Sequence, residues 1–458
     1  MKSWAIVGLC AVLCRIVSCS TGAIDHSIVK SRGDFGYVEV RSGAHMFWWL
    51  EPFAGERSDI NEDTPLVIWL QGGPGASGTG YGNFQEVGPY DVGWKPRKHS
   101  WVQKASILFV DNPVGTGFSY VENGTNFTHN NAEIAADLLT FLKKFLHKKT
   151  EYIDTPLHIV SESYGGKMAA GFARAIVDAQ AREDLKLNFR GVALGDSWIS
   201  PVDYVLAWTP FLKAWSLLED AALSNVSQVA LRTQQAVGNG NLTGATALWA
   251  LLEETISNAT DNVDWYNALL HNVDGEESSV WLTAALPENG VAASARRLLA
   301  RYHNDALAEF MNGSVRKHVG IIPGNVSWGA QSAKVFDELS GDFMVDVVGV
   351  VDGLLESGVP VTVYSGQLDL ICCTLGTDAW MDQLKWKGAA DFKAASSQPF
   401  YVKGHRPQTA GFFKAHKNLA MYIVLNAGHM IPSDQPKAAL QMLDHILHRQ
   451  RRTEVSVA

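Results

Sequence analysis

Ser163 lies in the run Val160-Ser161-Glu162-Ser163-Tyr164-Gly165-Gly166, where an apolar stretch from Leu157 to Val160 gives way to helix-forming residues from Met168 to Val177. Strand, tight turn and helix in that order hold a serine hydroxyl above a sheet edge, and the neighbours must be small so that the chain can double back. The glycine usual two positions before such a serine is replaced by Ser161. A plainer reading of Ser163 is a helix N-cap. Its hydroxyl is a poor nucleophile until a histidine takes the proton and an acid orients that histidine. Tyr364-Ser365-Gly366-Gln367-Leu368-Asp369 places an aspartate just after a strand, and Asn426-Ala427-Gly428-His429 places a histidine just after another. Alone, Asp369 reads as a turn residue and His429 as a surface or core histidine. Together, at strand C-terminal ends and in the order serine, acid, histidine, they form a candidate triad for acyl transfer.

An acyl-transfer site also needs backbone N–H donors aimed at the developing oxyanion. Gln71-Gly72-Gly73-Pro74-Gly75 follows the apolar run Leu66 to Leu70, and such a loop lets the backbone approach a substrate closely. The N–H groups of Gly73 and Tyr164 are assigned to the oxyanion hole. A phosphate-cradling loop is disfavoured because the Lys and Ser/Thr that complete it are missing.

Several elements must carry these residues. Phe35–Val40 and His45–Leu50 predict a strand pair turning at Ser42-Gly43. Leu66–Leu70 and Ser106–Val110 are continuous apolar runs suited to strands buried on both faces. Ala132 to His147 predicts an amphipathic helix with lysines at its C-terminal end. Further strands are expected at Gly191–Leu194, Val361–Tyr364 and Met421–Val424. Strands alternating with helices predict a mostly parallel α/β sheet. Between about 198 and 329 helical patterns such as Ala245 to Thr255 and Ala292 to Phe310 take over, which predicts a helical cap inserted into the sheet domain. The expected division is a signal peptide over 1–22, core over 23–197, cap over 198–329 and core again over 330–458.

The signal is read from Lys2, the apolar run Trp4 to Leu13 and the small residues between Ser18 and Ala23. Three of the five cysteines, Cys10, Cys14 and Cys19, fall in or beside it, leaving the adjacent pair Cys372 and Cys373. Neighbouring cysteines rarely bond to each other, so no structural disulfide is expected. A chain of 458 residues buries about three quarters of its unfolded surface without one. Asn-x-Ser/Thr sequons at Asn123, Asn126, Asn225, Asn241, Asn258, Asn312 and Asn325 predict exposed glycosylation sites of a secreted or lysosomal protein. A net charge of −9 argues against nucleic acid as a partner. No later stretch is long and apolar enough for a membrane span, no metal-ligand spacing occurs, and neither metal nor cofactor is expected.

Four segments resemble the signatures of the serine carboxypeptidase family: Trp69 to Gly75, Asp111 to Tyr120, Glu162 to Gly166 and Gly428 to Pro436. They occur in the family's order and span nearly the whole mature chain. Gln71, where the family usually has asparagine, and the segment Gly195-Asp196-Ser197-Trp198-Ile199-Ser200-Pro201 are similar to one branch of it. The resemblance implies an α/β-hydrolase fold, with a mostly parallel central sheet flanked by helices and a helical cap. It implies that peptides with a free C-terminus are the substrates, and that their carboxylate is bound by Gln71, the Gly72 N–H, Glu86 and Glu162. A glutamate pair can do this only when protonated, so binding should strengthen toward acid pH. Met430 would line the pocket of the leaving residue and Tyr164 that of the acyl side. Ala76 stands where a frequent disulfide cysteine is found, and Cys372 matches a lone thiol near the site, or else is a buried inert cysteine.

The reading is a secreted or lysosomal carboxypeptidase with Ser163 as nucleophile, His429 as general base and then acid, and Asp369 as orienting group. An esterase or acyltransferase with the same triad is the nearest alternative; a glycoprotein that binds or protects a partner with little turnover is another. A homodimer is left open.

Overall fold

Among the described residues, eleven strands form one sheet in the order β1-β2-β4-β3-β6-β7-β8-β11-β10-β9, with β5 paired to β2. The computed structural model describes residues 33–54, 64–122, 124, 126–272, 305–402 and 407–455. The expected signal peptide, Cys10, Cys14, Cys19, Asn123 and most of the helix expected over Ala292 to Phe310 lie outside these residues; Asp305–Phe310 of that helix is present.

The strands are β1 (Asp34–Arg41), β2 (Ala44–Glu51), β3 (Leu66–Leu70), β4 (Ser106–Val110), β5 (Tyr120–Val121), β6 (Leu157–Glu162), β7 (Phe189–Gly195), β8 (Val361–Gly366), β9 (Gln398–Val402), β10 (Gln408–His416) and β11 (Leu419–Val424). From β4 to β11 every neighbouring pair in the sheet is parallel. β3, β4 and β6 are buried along their whole length, which is why they read as unbroken apolar runs. The antiparallel hairpin of β1 and β2 closes one side, and β10 and β9 close the other. Those last two strands escaped the sequence reading, because their burial is partial and their residues are mixed.

Helix α1 (Asn131–Lys148) starts where Asn130 Oδ1 accepts the Glu133 N–H at 2.9 Å, while Glu133 accepts the His129 N–H at 2.8 Å. This reciprocal cap satisfies donors that the first turn leaves free. Ile134, Leu138, Phe141, Leu142 and Phe145 form its buried face. Helix α2 (Gly165–Ala181) begins directly at the turn after β6. Between β7 and β8 the described residues contain helices and no strand: α3 (Pro201–Ala214), α4 (Asp220–Gly238) and α5 (Leu242–Ala259), then shorter turns. Trp208 and Trp265 meet edge-on with centroids 4.7 Å apart, and Trp249 packs on Phe343 at 4.6 Å. Such aromatic pairs add specific geometry to a large buried area.

Register brings the strand ends level. Leu70 pairs with Ser161, Glu162 with Gly195, Gly195 with Tyr364, and Gly366 with Val424. The loops that follow β3, β6, β7, β8 and β11 therefore meet at one edge of the sheet.

Candidate active site

Ser163 occupies the turn between β6 and α2 with φ +63°, a left-handed conformation that a side chain adopts at a cost. Its N–H donates to Gly195 O at 3.0 Å, and its carbonyl accepts the Trp198 N–H at 3.0 Å, so both sides of the turn are pinned to the segment after β7. The residues around it, Ser161, Glu162 and Tyr164 to Ala170, are buried, whereas Ser163 itself is partly exposed. The small residue expected after the serine is needed: a Cβ on Gly165 would lie 2.4 Å from Leu70 O.

His429 and Asp369 are fully buried, and Nδ1 of the imidazole meets Oδ2 of the carboxylate at 2.8 Å. Asp369 Oδ1 also accepts the Cys372 N–H at 3.1 Å. The opposite imidazole nitrogen, Nε2, is buried and has no hydrogen-bond partner among the described residues. One ring nitrogen is thus fixed by the acid and the other is left for proton transfer. Ring and acid are held by a segment that sequence reasoning overlooked. Tyr266 O accepts the His429 N–H at 2.7 Å, Trp265 O accepts the N–H groups of Leu370 and Ile371, and the Tyr266 ring lies 4.8 Å from the imidazole.

The loop at Gly72 runs beside the serine. A Cβ on Gly72 would fall 2.9 Å from Ser163 Oγ, which measures how near that loop runs. The N–H groups of Gly73 and Tyr164 donate to no partner among the described residues. The Tyr164 ring differs from the expectation of a pocket wall: it is 1 % exposed, stacks on Phe343 and donates its hydroxyl to Asp342 Oδ2 at 2.7 Å. Lys167 Nζ, wholly buried, joins the same carboxylate at 3.2 Å and the Asp342 carbonyl at 2.6 Å. Met430, beside the histidine, is partly exposed.

Gln71, Glu86 and Glu162 converge as the resemblance implies. Glu86 comes from a ten-residue helix of wide, π-type pitch, Gly78–Val87. Gln71 Nε2 donates to Glu86 Oε1 at 3.0 Å and to Glu162 Oε1 at 2.8 Å, while Gln71 Oε1 accepts the Trp69 indole N–H at 2.7 Å. Both amide protons are therefore engaged by the two acids. Burial raises the Glu86 carboxyl, against the pull of its hydrogen bonds to Glu162 and Gln71. Burial and then the charge of Glu86 push Glu162 well above the usual carboxylate range. Two acids on one amide disfavour each other's charge, and both hold a proton more tightly than an ordinary carboxyl.

The side-chain donor atoms of Asp369, Cys372 and His429 lie within 4.8 Å of one another. Burial, and then the charge of Asp369, pushes the Cys372 thiol well above its ordinary value. Of the sequon residues, Asn225, Asn241, Asn258 and Asn325 are exposed. Asn126 and Asn312 are not, contrary to expectation. Asn312 Nδ2 donates to the carbonyls of Ala308 and Trp328, and Asn126 Nδ2 donates to Ser42 O.

Known proteins place the chain. A family model described as serine carboxypeptidase matches residues 24–449. Retinoid-inducible serine carboxypeptidase from Homo sapiens is 46% identical over 422 residues, 92% of each chain. Serine carboxypeptidase-like 51 from Arabidopsis thaliana is 42% identical over 452 residues, covering 95% of this chain and 97% of that one. Among solved structures, a prohormone-processing carboxypeptidase from Saccharomyces cerevisiae superimposes with a TM-score of 0.75 at 22% identity, over 92% of this chain and 91% of that one. The shared architecture is the α/β-hydrolase fold.

Proposed function

Because the chain belongs to the serine carboxypeptidase family and is a serine-type peptidase, we propose that Ser163, His429 and Asp369 are the groups with which it releases C-terminal residues from peptides. The observation that carries this assignment is the buried His429–Asp369 pair, 2.8 Å apart, whose Nε2 is left without a partner among the described residues, together with the left-handed, partly exposed Ser163. Ser163 Oγ attacks the last peptide carbonyl as His429 Nε2 takes its proton. The oxyanion is met by the Gly73 and Tyr164 N–H groups. His429 then protonates the departing amino acid, and water repeats the sequence on the acyl-enzyme. Asp369 stays ionised and holds the imidazole in the tautomer that leaves Nε2 free.

The substrate carboxylate is received by the Gly72 N–H and by Gln71, Glu86 and Glu162. A neutral Glu162 is a donor; an ionised one repels the carboxylate. Turnover is therefore favoured in acid. The same reading includes entry into the secretory pathway through residues 1–22, glycosylation at the exposed sequons, secretion or lysosomal residence, and a helical cap over 198–329. No helix among the described residues is long and apolar enough to cross a membrane.

The test is release of the C-terminal amino acid from a blocked dipeptide across about pH 4 to 8, comparing wild type with S163A. Release strongest in acid and absent in S163A is expected. Folded wild type that cleaves esters yet releases no amino acid at any pH would overturn the peptide reading in favour of an esterase or acyltransferase.

A further inference from the structure

Asp196 closes β7 midway between the strand that leads to Ser163 and the strand that leads to Asp369. The preceding residue, Gly195, accepts the Ser163 N–H through its carbonyl at 3.0 Å. Asp196 itself donates its N–H to Tyr364 O at 2.8 Å, and its Oδ1 accepts the Gly366 N–H at 2.7 Å. Gly366 O in turn accepts the Asp369 N–H at 3.2 Å. The backbone of Asp196 is left-handed, φ +39°, and the side chain is 1 % exposed. Such a conformation in a buried acid marks a position held by its surroundings.

The second carboxyl oxygen, Oδ2, is buried and receives no N–H or O–H donor from the described residues. Asp369, tied to Asp196 through Gly366, is the neighbouring charge that acts most strongly on this carboxyl. Two buried carboxylates in contact repel each other strongly, whereas one proton between them makes a strong O–H···O⁻ bond. Asp369 is the partner that keeps the charge, since it also accepts from His429 Nδ1 and the Cys372 N–H. The proton therefore belongs to Asp196. Burial, followed by the charge of Asp369, raises the Asp196 carboxyl well above the ordinary range.

We propose that Asp196 is a positioning residue of the reaction, donating a hydrogen bond from its carboxyl group to Asp369 and so holding Asp369 against His429 Nδ1. This rests on the triad assignment above. The charges of Asp369 and Asp434 both favour the protonated form of Asp196. Glu162 at the end of β6, Tyr364 on β8 and Cys372 in the turn after it feel the charge of Asp196 in return. When the pH rises far enough to ionise Asp196, Asp369 loses a donor and gains a repelling neighbour. An amide at this position keeps both bonds, its oxygen accepting from Gly366 and its NH2 donating to Asp369, and it does not titrate.

The experiment is steady-state hydrolysis of a blocked dipeptide by the full chain, for wild type, D196N, D196A and S163A, from about pH 4 to 9. D196N is expected to keep kcat within about threefold of wild type in acid while its alkaline limb moves to higher pH; D196A should lose kcat about 100-fold with KM little changed, as for a displaced catalytic group. D196A with the kcat and pH profile of wild type, or D196N as impaired as D196A, would overturn the proposal. If D196A does not fold, D196N decides: an unmoved alkaline limb overturns the proposal. Wild type without Ser163-dependent turnover sinks the triad assignment itself; turnover in wild type with either contrary pattern sinks only the role of Asp196.

Discussion

Gly72 and Ser163 pass so close that a Cβ added to the glycine would lie 2.4 Å from the serine Cβ and 2.9 Å from Glu162 O. One obstacle belongs to the last residue of a fully buried strand and the other to the residue after it, so neither can move aside cheaply. Overpacking of this kind typically costs about 1–3 kcal/mol. G72A is expected to melt at lower temperature and to lose labelling of Ser163 by a fluorophosphonate, because the methyl group displaces the elbow. Labelling at the wild-type rate would show that the loop yields.

The Asp369–His429 bond fixes which imidazole nitrogen carries the proton. In D369N the amide NH2 faces Nδ1 and favours the opposite tautomer, so kcat should drop about 10⁴-fold, with KM little affected. A loss confined to KM would remove Asp369 from the reaction centre.

Glu86, Glu162, Asp196 and Asp111 all hold protons more tightly in the folded chain than an ordinary carboxyl does, chiefly through burial. A folded state that binds more protons than the unfolded one is stabilised below the unfolded carboxyl pKa, about 4, and loses that stabilisation as the pH rises through the raised values. Melting temperature should accordingly fall between mildly acid and mildly alkaline solution, and E162Q should flatten the slope. An unchanged slope in E162Q would place the tightly held proton elsewhere.

The same carboxyls predict how substrate affinity depends on pH. For a peptide with a free C-terminus, KM should increase as the pH rises through the raised value of Glu162; for the corresponding C-terminal amide, which brings no negative charge, the dependence should be weak. Parallel KM profiles for acid and amide would remove the glutamate pair from carboxylate binding.

Lys167 is wholly buried, with its pKa lowered to about 8 by desolvation, and it pairs with an Asp342 carboxylate that also holds the Tyr164 hydroxyl. Removing one partner of a buried pair leaves a charge uncompensated and costs about 3–5 kcal/mol. K167M should show this loss in denaturant unfolding, and K167M/D342N should recover much of it. Equal stability of single and double variants would contradict the coupling.

The core strands and the candidate site residues at their ends were legible in the sequence because they rest on local signals. Leu66–Leu70 and Leu157–Val160 are unbroken apolar runs, and Ser163, Asp369 and His429 each follow a strand. Gln398–Val402 and Gln408–His416 were missed since strands at the side of a sheet carry polar, half-exposed residues with no clear period. The π-type helix over Gly78–Val87 was hidden by its glycines, which disfavour ordinary helix. The hydrogen bond of Asn312 to Trp328 O and that of Gly366 to Asp196 join segments apart in the chain, and no local pattern announces such convergence.

Trp265 and Tyr266, which lie outside the sheet, grip the loops of both Asp369 and His429 through their carbonyls. They act as a splint across two strand ends. The long stretch between β7 and β8 is therefore not free to diverge uniformly. A length change at the splint shifts Asp369 and His429 together, whereas one that leaves residues 264–268 in place leaves that pair aligned. Within this architecture, the splint is the part of that stretch that resists change.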